Sequence, residues 1–183
     1  MRKPPLLILL FLMTAHFAAA QVATDDHDCT LTIPEIALLD IEPNISTFTL
    51  SLDAPTEAGE PVTTSASSSN NSKWLNYSSA IAFGAAARSV SVQVTNGMVP
   101  GGLNLMISAS PNSGSGAGSL GIPVGPVNVS NAAASLITGI GGAYTGDGSG
   151  NGHRLTYSLQ ITDHGQLDFD ESVLLEITFT ITD

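Results

Sequence analysis

The chain has 183 residues, of which 11% are charged, and 5 Lys and Arg stand against 16 Asp and Glu for a formal net charge of −11. That acidity disfavours nucleic acid and anionic membrane surfaces as partners. With 1 cysteine there is no internal disulfide, so the fold must rest on its core alone.

Residues 1–20 read as a secretory signal peptide. Arg2 and Lys3 give a positive start, Leu6 to Met13 an apolar run, and Ala18-Ala19-Ala20 a small-residue cleavage site before Gln21. The run is too short for a membrane span and nothing downstream is longer. The mature protein is therefore expected to be secreted or held at the cell surface, crossing the periplasm in transit. Lys73, Arg88 and Arg154 would then face all 16 acids, a net charge of −13. Residues 21–29 are acidic and expected to be flexible. Asp25, Asp26, His27, Asp28 and Cys29 are ligand types for a transition metal, but a mobile segment offers no fixed geometry. Cys29 reads as a small buried apolar residue in preference to a free thiol or a link between two chains. The acids before it are not the small apolar residues that a lipid-attachment site needs.

From Thr30 a pattern of short strands begins, and residues 30–183 are expected to form a single domain. Leu31, Ile33, Ala37, Leu39 and Ile41 share a register, broken at Pro34, which predicts an edge strand. Phe48, Leu50 and Leu52 alternate with polar neighbours over Thr47 to Asp53, a second strand. Ala54 to Lys73 is a polar insert too poor in apolar residues to be anything but a loop. Trp74, Leu75, Tyr77, Ile81 and Phe83 predict the next strand. Trp74 and Tyr77 are candidates for contact with sugar rings, although a buried anchor in the core is the more frequent role of such residues.

Ser89 to Thr95 and Gly102 to Ser110 alternate cleanly, and the turn dipeptides Asn96-Gly97 and Pro100-Gly101 between them predict a strand pair. Pro111 to Gly121 is rich in Gly and Ser and reads as a loop. Ile122, Val124, Val127 and Val129, interrupted by Pro123 and Pro126, predict a short edge strand, and Ala132 to Ile140 another strand in preference to a helical turn. Arg154 to Thr162 carries Leu155, Tyr157, Leu159 and Ile161. Glu171 to Asp183 carries Val173, Leu175, Ile177, Phe179 and Ile181. The two are expected to form an antiparallel pair across the turn-rich stretch Asp163 to Asp170. In all, eight to ten short strands with no amphipathic helix point to an all-β protein, an antiparallel β-sandwich of immunoglobulin-like or pilin-like type in preference to a barrel.

Two loops hold residues suited to a cation. In Gly146 to His153, Asp147, Ser149 and Asn151 place oxygen-bearing side chains at alternate positions, as a calcium loop does. With one carboxylate among them, a glycine-rich turn into the following strand is the preferred reading. Asp163, Asp168, Asp170 and Glu171 beside His164 form the second group, preferably read as solvated charges that keep a strand edge from aggregating. There is no nucleophile elbow, no His-Glu-x-x-His and no phosphate-binding glycine loop, so neither an enzyme nor a required cofactor is expected. Asn44, Asn70, Asn76 and Asn128 lie in glycosylation sequons, which matter only in a eukaryotic secretory pathway.

The leader, the alternating stretch Thr30 to Ile41, the Gly/Ser/Ala-rich middle strands and the closing run Leu175-Glu176-Ile177-Thr178-Phe179-Thr180-Ile181-Thr182 together resemble exported bacterial pilin-like β-sandwiches of the spore-coat-U and fimbrial type. Trp74-Leu75-Asn76-Tyr77-Ser78 and Tyr144-Thr145-Gly146-Asp147-Gly148 are also similar to segments of uncharacterised secreted proteins of Gram-negative bacteria. The likeness covers most of the mature chain and lies in its pattern. It departs at the disulfide such subunits often carry. It implies a structural or adhesive surface protein that associates with itself or other pilus subunits by strand addition, with residues 22–42 as the donated strand or as the first strand of their own domain. The alternative is a non-catalytic calcium- or carbohydrate-binding module.

Overall fold

The computed structural model describes residues 24–43, 46–168 and 172–182. The signal peptide expected at residues 1–20 lies outside them, as do Asn44, Asp170 and Glu171. Residues 33–183 make one compact unit and residues 1–32 another. Within the latter, residues 24–32 have no regular structure and are exposed. Cys29 is exposed with them. Its expected burial is thus corrected: a run of acids next to it favours water over a core.

Nine strands are described, all paired antiparallel: β1 (Ile36–Glu42), β2 (Ser69–Ala80), β3 (Arg88–Asn96), β4 (Leu103–Ala109), β5 (Ala117–Pro123), β6 (Val127–Val129), β7 (Ala134–Tyr144), β8 (His153–Ile161) and β9 (Glu176–Thr182). They follow the hydrogen-bonded order β6-β4-β8-β2-β7-β3-β9, with β1 added to β2 and β5 to β7. The two arms of this order also meet, since Val94 N–H in β3 donates to the carbonyl of Ser130 just after β6 at 2.8 Å. The protein is all-β, as its alternating pattern predicts.

Alternation sets the core. Val90, Val92 and Val94 of β3, Leu105 and Ile107 of β4, and Leu155 and Tyr157 of β8 are buried in one cluster with Leu75, Tyr77, Val129, Leu136, Ile137 and Ile140. Each fully buried aliphatic side chain contributes about 1.5–3 kcal/mol. Leu136 and Ile137 are neighbours yet both buried, because the register of β7 against β3 shifts between Val90 and Ser91. Such a bulge turns consecutive side chains to the same side.

Several expected pairings are corrected. β3 and β4 are not partners: β3 lies between β7 and β9, and β4 between β6 and β8. The Asn131 side chain donates to the carbonyls of Val94 and Gly97, so the segment after β6 occupies the end of β3 where a hairpin would start. β8 and β9 are likewise separated, β8 pairing with β2 and β4 while β9 pairs with β3. Thr47 to Asp53 forms no ladder. Its apolar face packs as expected, with Phe48 4.7 Å from Tyr157 between ring centroids, but its backbone is held by Ser51 to Ser67 and to the Ser68 hydroxyl and by Asp53 to Thr63. Strand β1 begins after Pro34, and the last residues of the expected polar loop, Ser69 to Lys73, belong to β2. The expected loop Pro111 to Gly121 ends in β5. There Gly118 has φ +91°, and a Cβ on it would lie 2.2 Å from the carbonyl oxygen of Gly142. Glycine here serves the close approach of β5 to β7.

One buried cation ties three strands. Arg88, 2% exposed at the start of β3, donates to the carbonyls of Ile36 and Ala80 and to the Ser79 hydroxyl, and pairs with the exposed carboxylate of Glu35. Removing a buried donor strands its acceptors, whereas an exposed ionic partner is screened by water. Arg88→Ala is therefore expected to cost about 3 kcal/mol of unfolding free energy, and Glu35→Ala less than about 1 kcal/mol. Urea midpoints of the two variants, read at equal m-value, check the difference.

Candidate functional site

Strand β2 changes partners part-way along one edge. β8 pairs with it up to Leu75, and β7 takes over at Ser78. Between these points Asn76 and Tyr77 have no ladder partner on that edge, and buried main-chain groups need another source of hydrogen bonds. Thr145, fully buried, supplies it. Its hydroxyl accepts from the Tyr77 N–H at 2.9 Å, and its own N–H donates to the Tyr77 carbonyl at 3.0 Å. The Asn76 side chain donates to the carbonyl of Asn151 at 2.8 Å. The loop 145–152 is thereby pressed onto β2. Gly152, with φ +77°, lies where a Cβ would sit 2.3 Å from the Leu75 carbonyl oxygen.

Beneath this junction lies a buried polar chain. His153 is 0% exposed. Its Nδ1 is 2.8 Å from the Ser110 carbonyl oxygen and its Nε2 3.0 Å from the Tyr77 hydroxyl, which itself donates to the Leu120 carbonyl. A carbonyl only accepts, so Nδ1 carries a proton. With a neutral imidazole, the one phenolic proton of Tyr77 then serves two acceptors. Burial holds the His153 pKa below its ordinary value, against the two carbonyls that favour the charged ring. Burial also pushes the Tyr77 phenol upward, so its proton is not given up near neutral pH.

Above the junction is a surface cavity of about 390 Å³, whose lining includes Leu38, Asp40, Asn76, Tyr144 and Asp147. Asn76 is 4% exposed, and its Oδ1 is buried without a hydrogen-bond partner. A neighbouring cavity of about 410 Å³ shares Ser78 and Tyr144 and is otherwise lined by Ile36, Ala117, Gly118 and other small residues. Tyr144, 52% exposed, stands between the two.

The candidates read from the sequence separate into different places. Trp74 is half-buried, on the β2 face opposite Leu75 and Tyr77, so it is not the expected core anchor. Period-two geometry gives that role to its neighbours. The Arg154 guanidinium lies 5.9 Å from the Trp74 ring centre and is held by Asn71. One face of the indole is therefore covered by a cation. Tyr77 is core and hydrogen-bonded inward. Of the loop triad, Asp147 and Ser149 are exposed, while the Asn151 amide is spent on the loop itself: Nδ2 donates to the Asp147 carbonyl at 2.7 Å and Oδ1 accepts from the Ser115 N–H at 3.1 Å. Asp163 accepts from Gly165 N–H and from the Gln166 side chain, capping a 3-10 turn at His164–Gln166. Among the described residues no three His, Cys, Asp or Glu gather as metal ligands.

Sequence reading missed His153, Asn76 and Asp40. His153 stands in step with Leu155 and Tyr157, which was signal enough for a buried imidazole. Nothing local marks Asn76 or Asp40, since both matter through the register of β1 on β2. The chain matches no protein-family model, no characterised protein and no solved structure.

The buried imidazole sets a pH dependence. As pH falls below 6.5, the ordinary His value, the unfolded chain takes up a proton that folded His153 resists. The unfolded state then binds more protons, so stability declines with falling pH and is complete above that value. Unfolding midpoints measured from about pH 7.5 to about pH 5.5 are expected to fall in the wild type and to fall less in His153→Gln. Parallel profiles would assign the slope to other groups.

Proposed function

We propose that this is an exported, non-catalytic surface protein that associates with further copies of itself, or with similar subunits, by strand addition. The observation that carries the reading is an exposed apolar stretch that joins no strand among the described residues. Leu31 and Ile33, 88% and 86% exposed, alternate with Thr30 and Thr32 just upstream of β1 in the chain. Alternating apolar side chains on an extended segment are what a sheet edge recognises, with main-chain hydrogen bonds for affinity and pockets for every second residue.

Residues Ile36–Glu42 are already β1 of their own domain, paired with Trp74–Ala80. The donated part of the expected segment is accordingly residues 24–35. Its acceptor is the outer edge of β9, which among the described residues pairs with β3 alone. Cys29, Leu31 and Ile33 fall on one side of such a strand, opposite Thr30 and Thr32. The covered Trp74 ring and inward-bonded Tyr77 do not favour a sugar platform.

Light scattering on size-exclusion eluate from the mature chain is expected to give a concentration-dependent ladder of species. Deleting residues 22–35 should leave monomer only, and Leu31→Asp with Ile33→Asp should raise the concentration needed for assembly at least about tenfold. A mature chain that stays monomeric, or a deletion that still assembles, would overturn the reading.

A further inference from the structure

We infer that the cavity above the β2 junction binds a divalent cation of the calcium class, held by Asp40, Asp147 and the side-chain oxygen of Asn76. The inference is independent of strand addition. Asp40 and Asn76 are directly opposite each other in the β1–β2 register, which puts both side chains on one face with Cβ atoms about 5 Å apart. Asp147 reaches the same cavity from the loop, whose position is set by Asn76 bonding Asn151 and Asn151 bonding Asp147. Oxygen-bearing residues from three segments therefore line one space.

Two features ask for a cation there. The first is Asn76 Oδ1, a buried acceptor with no partner on an amide whose nitrogen is already fixed. Leaving such an oxygen unbonded is costly, and a cation at the cavity floor satisfies it. The second is charge. Asp40 uses one oxygen on its neighbour's N–H, and neither it nor Asp147 has an ion-pair partner among the described residues. Arg88 is engaged with Glu35, Lys73 bonds Ser46 and Arg154 bonds Asn71. In a chain this acidic, two carboxylates that line one cavity repel unless a cation joins them.

The donor set selects the ion. Two carboxylates and an amide oxygen are hard ligands, and an exposed cavity lets water complete a flexible shell of six to eight oxygens at about 2.3–2.6 Å, as calcium prefers. Magnesium demands a tighter octahedron and keeps its own waters. With only two charges the affinity falls in the range of extracellular modules, about 10⁻⁴–10⁻³ M. The site differs from a continuous calcium loop because Asp147 is the one loop residue it uses.

Isothermal titration of calcium chloride into the mature protein, with unfolding followed in parallel, tests the site. Binding at submillimolar to millimolar calcium and a raised midpoint are expected, with magnesium at least about tenfold weaker. Asp40→Asn and Asp147→Asn replace exposed carboxylates isosterically and leave the far-ultraviolet circular dichroism unchanged. Each should weaken calcium at least about tenfold and the double variant should abolish it, while Asp163→Asn should bind as the wild type does. No calcium binding, or binding that survives the double substitution, for instance at Asp25, Asp26 and Asp28, would overturn the assignment.

Discussion

Strand β2 has to satisfy neighbours on both edges, and on one of them it changes neighbour before it ends. β1 covers Trp74–Ala80 without interruption, whereas the opposite edge passes from β8 to β7 across Asn76 and Tyr77. A sheet leaves no main-chain group unpaired in its interior without loss, so the gap is filled by the hydroxyl and N–H of Thr145, while the Asn76 side chain donates to the Asn151 carbonyl. This one substitution of side-chain for ladder hydrogen bonding explains the glycines of the loop, the burial of Asn76 and the seat of His153. It also explains why Asn76, Thr145 and His153, three of the buried polar residues, are gathered there.

Gathering polar groups at a junction has a cost that the rest of the core offsets. The Ser110–His153–Tyr77–Leu120 chain offers three contacts and two protons when the ring is neutral. Charging the ring would complete the hydrogen bonds but bury a charge, and burial prevails in the pKa. A junction built this way fixes β2, β8 and the loop before Ala117 in one arrangement. An apolar cluster of the same volume would pack as well yet specify the register less. The buried Arg88 does the same at the C-terminal end of β2, where it gathers Ile36, Ser79 and Ala80.

The strands themselves were legible because period-two alternation survives in single residues: Val90, Val92 and Val94, or Leu155 and Tyr157, are inward as their spacing requires. Pairing was not legible. Asn96-Gly97 reads as a hairpin turn, yet the Asn131 side chain and Ser130 occupy the place of the partner, and both are distant in sequence. β7 was ambiguous for a definite reason, since the bulge at Leu136 breaks the alternation that identifies a strand. The Gly/Ser stretch before Ile122 reads as a loop because composition does not distinguish a flexible backbone from one packed closely against another. Of the candidate site, Asp147 was visible as a loop carboxylate. Asp40 and Asn76 become neighbours only once β1 lies on β2, so no local pattern could join them.

Edges bear most directly on the proposed association. β1 carries Asp40 and Glu42, charges that discourage another strand from pairing there. β5 contains two glycines with positive φ and ends in Pro123, and β6 is three residues long. Each is a known way of blunting an edge. β9 has Glu176 at its start and then an uncharged run, Ile177-Thr178-Phe179-Thr180-Ile181-Thr182, without proline or glycine. Its apolar residues Ile177, Phe179 and Ile181 pack against the core, while threonines occupy the alternate positions. Threonine favours strand geometry without adding apolar surface. An edge that is regular, uncharged after Glu176 and inwardly anchored suits a further strand, and the same chain carries an alternating segment upstream that is unpaired among the described residues. Among the described residues one edge is thus left unprotected and a segment of matching chemistry lies upstream, two features that the proposed strand addition would join in a single interaction.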